Sequence, residues 1–153
     1  MEVLEQNRLE IVQEYIKKAM DYPRYSELVR QLAKIGKSTG PNQSEAMANY
    51  TKLGDRRMAR WDKTFKIPED IQQKLKTHDK ELVFLALTES WCGDAAASLP
   101  IINKVAEASP NIALKVVLRD ESLDLMDAFL TNGARSIPKV IVLDKANNEI
   151  VGE

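Results

Sequence analysis

The chain has 153 residues, 44% of them hydrophobic and 29% charged, with a formal net charge of −1, as in a globular protein of one domain with room for an appendage. Lys and Arg are spread along the sequence, which argues against nucleic acid or an anionic membrane as a partner, and a single cysteine excludes an internal disulfide framework. The first residues lack a secretory signal and no stretch approaches about 18 uninterrupted apolar residues, so we expect a cytoplasmic protein.

The first two predicted elements are helices. An apolar stripe at helical spacing runs from Leu9 to Met20, and we expect it to end at Tyr22-Pro23. A second stripe covers residues 25–35, and Gly36 is placed to close that helix because glycine readily adopts the left-handed conformation found there.

Two further helices follow a short polar loop. Asn42 or Ser44 can cap the third helix, and Pro68 opens a shorter fourth one. In the third helix we expect one apolar side, packed on a sheet, made of Met47, Tyr50, Met58, Trp61 and Phe65.

Strand patterns begin at residue 82. Residues 82–87 form a near-continuous apolar run, typical of a strand covered on both faces, and residues 112–118 form the next strand. Between them, residues 95–108 have a helical pattern with Pro100 in its interior.

The last elements are a helix and a hairpin. Residues 122–130 predict the helix, closed by Asn132-Gly133, and residues 140–151 predict two strands around a turn at 146–148. The order β-α-β-α-β-β implies an α/β fold with a mixed sheet flanked by helices, its first two strands parallel.

We therefore divide the chain into an all-helical N-terminal extension, residues 1–78, and an α/β domain, residues 79–153. A sheet of this order needs a helix over its exposed face, and no segment after Val151 supplies one. Either the N-terminal helices cover that face or the chain is a fragment that lacks its C-terminal helix. We expect the fragment.

The single cysteine lies in Trp91-Cys92-Gly93-Asp94, between the first strand and the helix that follows it. A thiol there is next to the unpaired N–H groups of a helix start, whose positive field favours the thiolate. Asp94 acts against this because its carboxylate disfavours a second negative charge, and Arg135 would offset Asp94 if it pointed inward. The alternative is that Cys92 is a small buried apolar residue.

From residue 82 onward the chain resembles the thioredoxin superfamily on two motifs. The first is Trp91-Cys92-Gly93-Asp94, and the second is Arg135-Ser136-Ile137-Pro138, which resembles the loop whose cis proline faces the active-site sulfur. Pro100 matches a kinking proline that the family often carries.

The resemblance implies a thioredoxin-like fold in which Cys92 is the catalytic nucleophile. It also implies an active-site loop and an edge that docks an extended peptide, and it implies no cofactor. The loop comprises Trp91, Gly93, Asp94 and Ala95, and the docking edge comprises Arg135, Ser136, Ile137 and Pro138. The alternative for Pro138 is an ordinary proline at a strand entry.

A narrower resemblance is to bacterial thioredoxin-like proteins with a helical N-terminal extension. Its motifs are Thr39-Gly40-Pro41-Asn42-Gln43-Ser44, Tyr50-Thr51-Lys52-Leu53, Asp62-Lys63-Thr64, Leu118-Arg119-Asp120-Glu121 and Leu130-Thr131-Asn132-Gly133. Members of that group often have Trp-Cys-Gly-Asp-Ala in place of Cys-x-x-Cys and continue into a further helix. The resemblance implies that Ala95 is natural and that the chain is incomplete.

The departures from thioredoxin concern the second half of thiol–disulfide exchange. The first thiol attacks and a second one resolves the mixed disulfide, but Ala95 occupies the place of the second cysteine. Thioredoxins also carry a buried Asp in the strand before the motif, where this chain has Ala86. Ordinary dithiol activity is therefore not expected.

We predict monothiol exchange, in which Cys92 attacks a disulfide and forms a mixed disulfide with a protein or a low-molecular-weight thiol such as glutathione, the other half of the attacked disulfide leaving as a thiol. A second molecule then resolves it. The alternative is a non-catalytic binding module that docks an extended peptide at Ile137-Pro138. A peroxide sensor acting through sulfenic acid has no additional support, and the sequence leaves the oligomeric state open.

Two other groups of residues have simpler interpretations than catalysis or metal binding, and we expect no metal site. The acidic residues near the helix predicted over residues 122–130 are Asp120, Glu121, Asp124 and Asp127. We expect Asp120 to cap a helix, or to pair with Arg119 behind the active-site loop, and the others to be solvated. His78 is distant in sequence from Cys92, which disfavours a Cys–His catalytic pair.

Overall fold

The computed structural model describes residues 2–153, which form six α-helices and one four-stranded sheet. The helices are α1 (Glu2–Lys18), α2 (Tyr22–Ile35), α3 (Glu45–Thr64), α4 (Glu69–Lys76), α5 (Gly93–Ala108) and α6 (Leu123–Ala128). The strands are β1 (Leu82–Thr88), β2 (Ile112–Leu118), β3 (Lys139–Asp144) and β4 (Glu149–Gly152). None of the helices in the described part of the chain is long and apolar enough to cross a membrane.

The predicted α/β fold with a mixed sheet is confirmed. The strand order is β2-β1-β3-β4, with β1 parallel to β2 and antiparallel to β3, and with β3 antiparallel to β4. Because β1 is central, its carboxyl end opens directly into the segment that carries Cys92.

Each face of the sheet is covered by helices. One face packs against α2, α3 and α5, and the other packs against α1 and α6. Successive side chains of β1 point to opposite faces of the sheet. Ala86 points toward α2, α3 and α5, whereas Leu85 and Leu87 point toward α1 and α6. The sequence left two ways to cover the otherwise exposed face of the sheet: the N-terminal helices or a missing C-terminal helix. In the structure α1 covers that face, and Val12 of α1 lies in the core between them.

The boundary between α1 and α2 differs from the prediction. The first helix ends at Lys18, and Met20 exchanges two backbone hydrogen bonds with Val116 of the edge strand, at 2.9 and 2.8 Å. The apolar pattern in the sequence extends to Met20 because that residue also packs against the core, although it lies in an extended segment after the helix. Tyr22 begins α2 instead of ending α1, with Asp21 as the cap: its carboxylate accepts the Arg24 N–H at 3.0 Å.

Other helix ends match the prediction. Ser44 caps α3 by accepting the Met47 N–H at 3.2 Å, and Gly36 closes α2 with φ of 69°.

The last helix, α6, is shorter than the one predicted over residues 122–130, because Thr131 and Ala134 pair with each other across Asn132-Gly133. Both central residues have positive φ, 50° and 78°, which is the conformation that Asn-Gly favours in a tight hairpin turn.

The packed side of α3 is made of smaller residues than predicted. Its buried residues are Ala48, Thr51, Gly54 and Met58. Met58 was expected there, but Tyr50 and Trp61 are 56% and 37% exposed, so the prediction was wrong for them. The reason is the close approach of α3 to the segment before Cys92: a Cβ on Gly54 would lie 3.1 Å from the Ser90 carbonyl oxygen.

Candidate functional site

Cys92 lies where the sequence places it, between β1 and α5. It is the residue before the first turn of α5, with an extended backbone (φ −80°, ψ 111°). Its side chain is almost completely buried, and its Sγ lies 3.6 Å from the carbonyl oxygen of Ile137, to which the thiol donates a weak hydrogen bond. The thiol and the Ile137-Pro138 segment are therefore in contact.

The electrostatic balance at Cys92 differs from the expectation of a favoured thiolate. Burial is the largest influence and raises the pKa of the thiol above its ordinary value. The backbone N–H groups of Ala95 and Asp94 lower the pKa, while the Asp94 carboxylate raises it as predicted. The helix start does act on the sulfur, but desolvation outweighs it, so the resting group is a protonated thiol.

Arg135 does not point toward the thiol. Its guanidinium forms two hydrogen bonds with the Asp127 carboxylate, at 2.8 and 3.0 Å, on the exposed side of the loop. The cation closer to the site is Arg119, which lies 5.2 Å from the centroid of the Trp91 ring and weakly lowers the pKa of Cys92. Arg119 also forms the predicted pair with Asp120, at 3.0 Å.

The segment with the docking residues is open to solvent. The Ile137-Pro138 bond is cis, as the resemblance implies. Arg135 and Ser136 are exposed, and Ile137 and Pro138 are half-buried. Trp91 is half-buried, and Gly93 and Asp94 are exposed beside the thiol.

The two positions that depart from thioredoxin are both in the apolar core. Ala95, at the place of a resolving cysteine, is 1% exposed, and Ala86, at the place of the buried Asp, is fully buried. Both side chains are methyl groups, so no proton or sulfur chemistry is available at either position.

Sequence reasoning missed a buried carboxylate three residues before Cys92. Glu89 is fully buried, and its carboxylate accepts hydrogen bonds from the backbone N–H of Asp120, at 2.8 Å, and from the hydroxyl of Thr39. Burial raises the pKa of Glu89 above its ordinary value. The available signal was the acidic residue placed directly after an apolar strand that is covered on both faces.

The residue after Glu89 extends this network into the N-terminal segment. Ser90 donates its N–H to the Thr39 hydroxyl at 2.8 Å, and its own hydroxyl accepts the Thr39 N–H at 2.9 Å and lies 2.8 Å from the Thr51 hydroxyl. The Thr39 loop and α3 thus hold the backbone that leads to the thiol.

Gly40 explains why this loop can approach so closely. Its φ is 87°, and a Cβ there would lie only 2.8 Å from Oδ2 of Asp120. A residue other than glycine would be strained in its backbone and would also collide with that carboxylate. The Thr39-Gly40 motif is therefore part of the support of the thiol segment.

The acidic residues near α6 have separate protein partners. Asp120 pairs with Arg119, Asp127 pairs with Arg135, and Asp124 accepts a hydrogen bond from Tyr15. The expectation that Asp120 caps α6 was wrong, because the helix starts after Ser122 and no side chain caps it, whereas Glu121, Asp124 and Asp127 are exposed as expected. Within residues 2–153, no group of three or more His, Cys, Asp or Glu side chains is arranged to hold a metal ion.

His78 belongs to the opposite end of the central strand from Cys92. Its carbonyl oxygen accepts a hydrogen bond from Asn111, at 2.7 Å, and the Asn111 carbonyl in turn accepts the Leu82 N–H where β1 begins. The strand β1 separates His78 from the thiol, which agrees with the sequence argument against a Cys–His pair.

A protein-family model described as thioredoxin matches residues 40–152. The chain belongs to the thioredoxin family. The match begins inside the helical segment, at Gly40, so the thioredoxin model includes the loop and the helix α3 that support the thiol segment. No curated protein matches the sequence.

Two solved structures share the fold of this thioredoxin-family chain. One is a protein of unknown function from Pseudomonas aeruginosa, 20% identical, with a TM-score of 0.57 over 87% of this chain and 75% of that one. The other is an HIV epitope scaffold named 4E10, also 20% identical, with a TM-score of 0.56 and the same coverage. At this identity the likeness shows the fold alone.

Proposed function

We propose that this thioredoxin-family protein carries out thiol–disulfide exchange with Cys92 as its one reacting thiol. The proposal is carried by the position of that sulfur, 3.6 Å from the Ile137 carbonyl at the open docking segment. A disulfide held along this segment would present a sulfur atom to the thiol. The partners we propose are a protein disulfide or a low-molecular-weight thiol such as glutathione.

The exchange needs two thiols from different molecules. Cys92 loses its proton to solvent, and the thiolate attacks one sulfur of the substrate disulfide. A new S–S bond forms to Cys92, while the other substrate sulfur leaves with the bonding electron pair and takes up a proton. Because Ala95 offers no second thiol, an external thiolate then attacks the mixed disulfide and releases Cys92.

The raised pKa of Cys92 sets the pH dependence of this activity. Because burial raises the pKa of Cys92, the thiol is protonated in most molecules near neutral pH, and only the thiolate form attacks a disulfide. The rate of the first step should therefore increase with pH until it passes the raised pKa. A reducing compartment, such as a bacterial cytoplasm, is the setting we propose, since a free thiol persists there.

The test is the formation of a mixed disulfide by the folded protein. We expect incubation with glutathione disulfide to add one glutathione at Cys92, detected by mass spectrometry, and reduced glutathione to remove it. The rate should rise with pH, and Cys92→Ser should form no adduct. A folded wild-type protein that forms no adduct at any pH would contradict the proposal.

A second function is favoured by the same burial. Cys92 is only 9% exposed, and a protonated, covered sulfur suits a binding module that docks an extended peptide through the backbone of Ile137. The two functions differ in one measurement. A binding module keeps its peptide affinity after Cys92→Ser, whereas a partner held by a mixed disulfide is lost after that change.

A further inference from the structure

A cation from the helical segment lies next to Gly93, the residue after Cys92. On α3, Gly54 packs against the backbone at Ser90, and Arg57 follows three residues later on a neighbouring part of the same helix surface. An added Cβ on Gly93 would lie 3.1 Å from a terminal nitrogen of the Arg57 guanidinium. The Arg57 guanidinium therefore lies close to Gly93, the residue directly after Cys92, which is itself exposed.

This guanidinium is available to a ligand. Arg57 is exposed, and none of the ion pairs formed within residues 2–153 involves it. The nearby Arg119, by contrast, is engaged by Asp120. A guanidinium offers five donors in a planar fork that matches a carboxylate.

The other charges around the thiol leave room for an anion. The exposed Asp94 carboxylate raises the pKa of Cys92. It forms no ion pair with Arg57, since none of the ion pairs within residues 2–153 joins these two side chains. The backbone N–H groups of Asp94 and Ala95, at the positive end of α5, act on Cys92. An arriving anion thus meets Arg57 and the helix start, with Asp94 to one side.

We propose that Arg57 binds a carboxylate of the substrate, so that the preferred substrates of Cys92 are disulfides with a carboxylate close to the sulfur. The inference rests on the proposed exchange activity, since it names the class of disulfide that Cys92 attacks. It also gives the N-terminal helical segment a role in recognition in addition to its role in packing.

The kinetic test compares three disulfides of different charge. Rates of mixed-disulfide formation are measured with glutathione disulfide, which is anionic, with 2-hydroxyethyl disulfide, which is neutral, and with cystamine, which is cationic. Each rate is divided by the rate at which a free small thiol reacts with the same disulfide, which corrects for the intrinsic reactivity of that disulfide. A disulfide-linked acidic peptide, as a fourth arm, separates a small-molecule source of the carboxylate from a protein one.

We expect Arg57→Gln to lower the anionic-to-neutral rate ratio by about two- to fivefold, the range for an exposed ion pair. Arg57→Glu should lower the ratio further and favour cystamine. The matched control is Arg56→Gln, an exposed neighbour on α3, which should leave the ratio unchanged. Added salt should reduce the wild-type preference. An anionic preference that survives Arg57→Gln would overturn the inference.

A ligand that cannot react separates this inference from the exchange activity. S-methylglutathione is titrated into Cys92→Ser, and the amide signal of Gly93 is followed by NMR. We expect a shift that Arg57→Gln abolishes and Arg56→Gln retains. Exchange without any charge preference, together with no such shift, would contradict the carboxylate site alone. A shift that depends on Arg57, in a protein that exchanges no disulfide, would contradict the exchange activity and keep the anion site.

Discussion

Two segments meet at the Cys92 sulfur, and they are held in different ways. The thiol loop, residues 89–92, is anchored by buried hydrogen bonds to the Thr39 loop, to α3 and to Asp120, two residues after the end of β2. The proline loop, residues 131–138, is exposed from 131 to 136 and is held by surface contacts of Arg135 with Asp127 and Arg119. One side of the site is sealed by the chain itself, and the other is open.

The comparison shows which of the two loops is held rigidly and which one a ligand can reach. A buried polar network keeps a defined geometry only while each donor and acceptor is paired, so the thiol loop should tolerate change poorly. Exposed ion pairs contribute little because water competes for both partners, so the proline loop should tolerate change well. A ligand can therefore approach from the proline loop without disturbing the support of the thiol.

Removal of the buried carboxylate should have the largest effect. Glu89→Ala leaves the Asp120 N–H and the Thr39 hydroxyl without their acceptor and opens a cavity, so we expect the free energy of unfolding to fall by about 2–4 kcal/mol. Urea denaturation measures it. Glu89→Gln, which keeps an acceptor oxygen and the volume, is the control. An equal loss in both variants would show that the hydrogen bonds are not the cause.

Filling the contact between α3 and the thiol loop comes next. We expect Gly54→Val to lower the free energy of unfolding by about 1–3 kcal/mol, because its side chain would be forced against the Ser90 carbonyl. Displacement of the loop should also speed alkylation of Cys92 by iodoacetamide. Ala59→Val, exposed on the same helix, controls for the effect of valine on helix formation. A stable variant with unchanged alkylation would mean that the contact at Gly54 is loose.

The pH dependence of stability should reveal the charge state of Glu89. Its pKa is raised in the folded protein, so the folded state keeps the proton to higher pH than the unfolded chain does. Glu89 therefore stabilises the fold below its ordinary pKa of about 4.3, and this contribution is lost as pH rises through the raised value.

The measurement compares wild type with Glu89→Gln, which stays neutral throughout. The free energy of unfolding of the wild type should fall relative to the variant as the pH rises from about 4.3, the ordinary pKa of Glu, through the raised value. Because the other titrating groups are common to both proteins, the difference isolates Glu89. A constant difference over this range would mean that the folded state does not raise its pKa.

The smallest effect is expected in the proline loop. Arg135→Gln should leave the denaturation midpoint unchanged, since the pair with Asp127 is exposed and water competes for both partners. The pKa of Asp127, which the guanidinium now lowers, should return toward its ordinary value in an NMR titration of its carboxyl carbon. A drop in the midpoint as large as that of Glu89→Ala would remove the contrast between the two loops.

Local features were predictable from neighbouring residues. The thiol at a strand-to-helix junction, the cap at Ser44 and the helix end at Gly36 all follow from short patterns, because each depends on the backbone within a few residues. The mixed sheet also followed from the order of the elements. The division of the chain at residue 78 stays a prediction.

Contacts between distant segments were not predictable from those patterns. The close approach at Gly54 turned Tyr50 and Trp61 outward, although their spacing suited a packed face. Arg135 pairs with Asp127, while Arg119 is the cation that acts on Cys92 and Arg57 lies against Gly93. Each outcome depends on which surface another part of the chain presents.

The sequence by itself determined that the chain carries one thiol, at the start of one helix, with alanine where a second cysteine would stand. Only the tertiary structure decided the state of that sulfur. The fold buries Cys92 and raises its pKa, and it brings Glu89, Thr39 and Ser90 together behind it and Arg57 next to Gly93. Desolvation and charge–charge distances are properties of the packed chain, and no spacing of residues along the sequence specifies them.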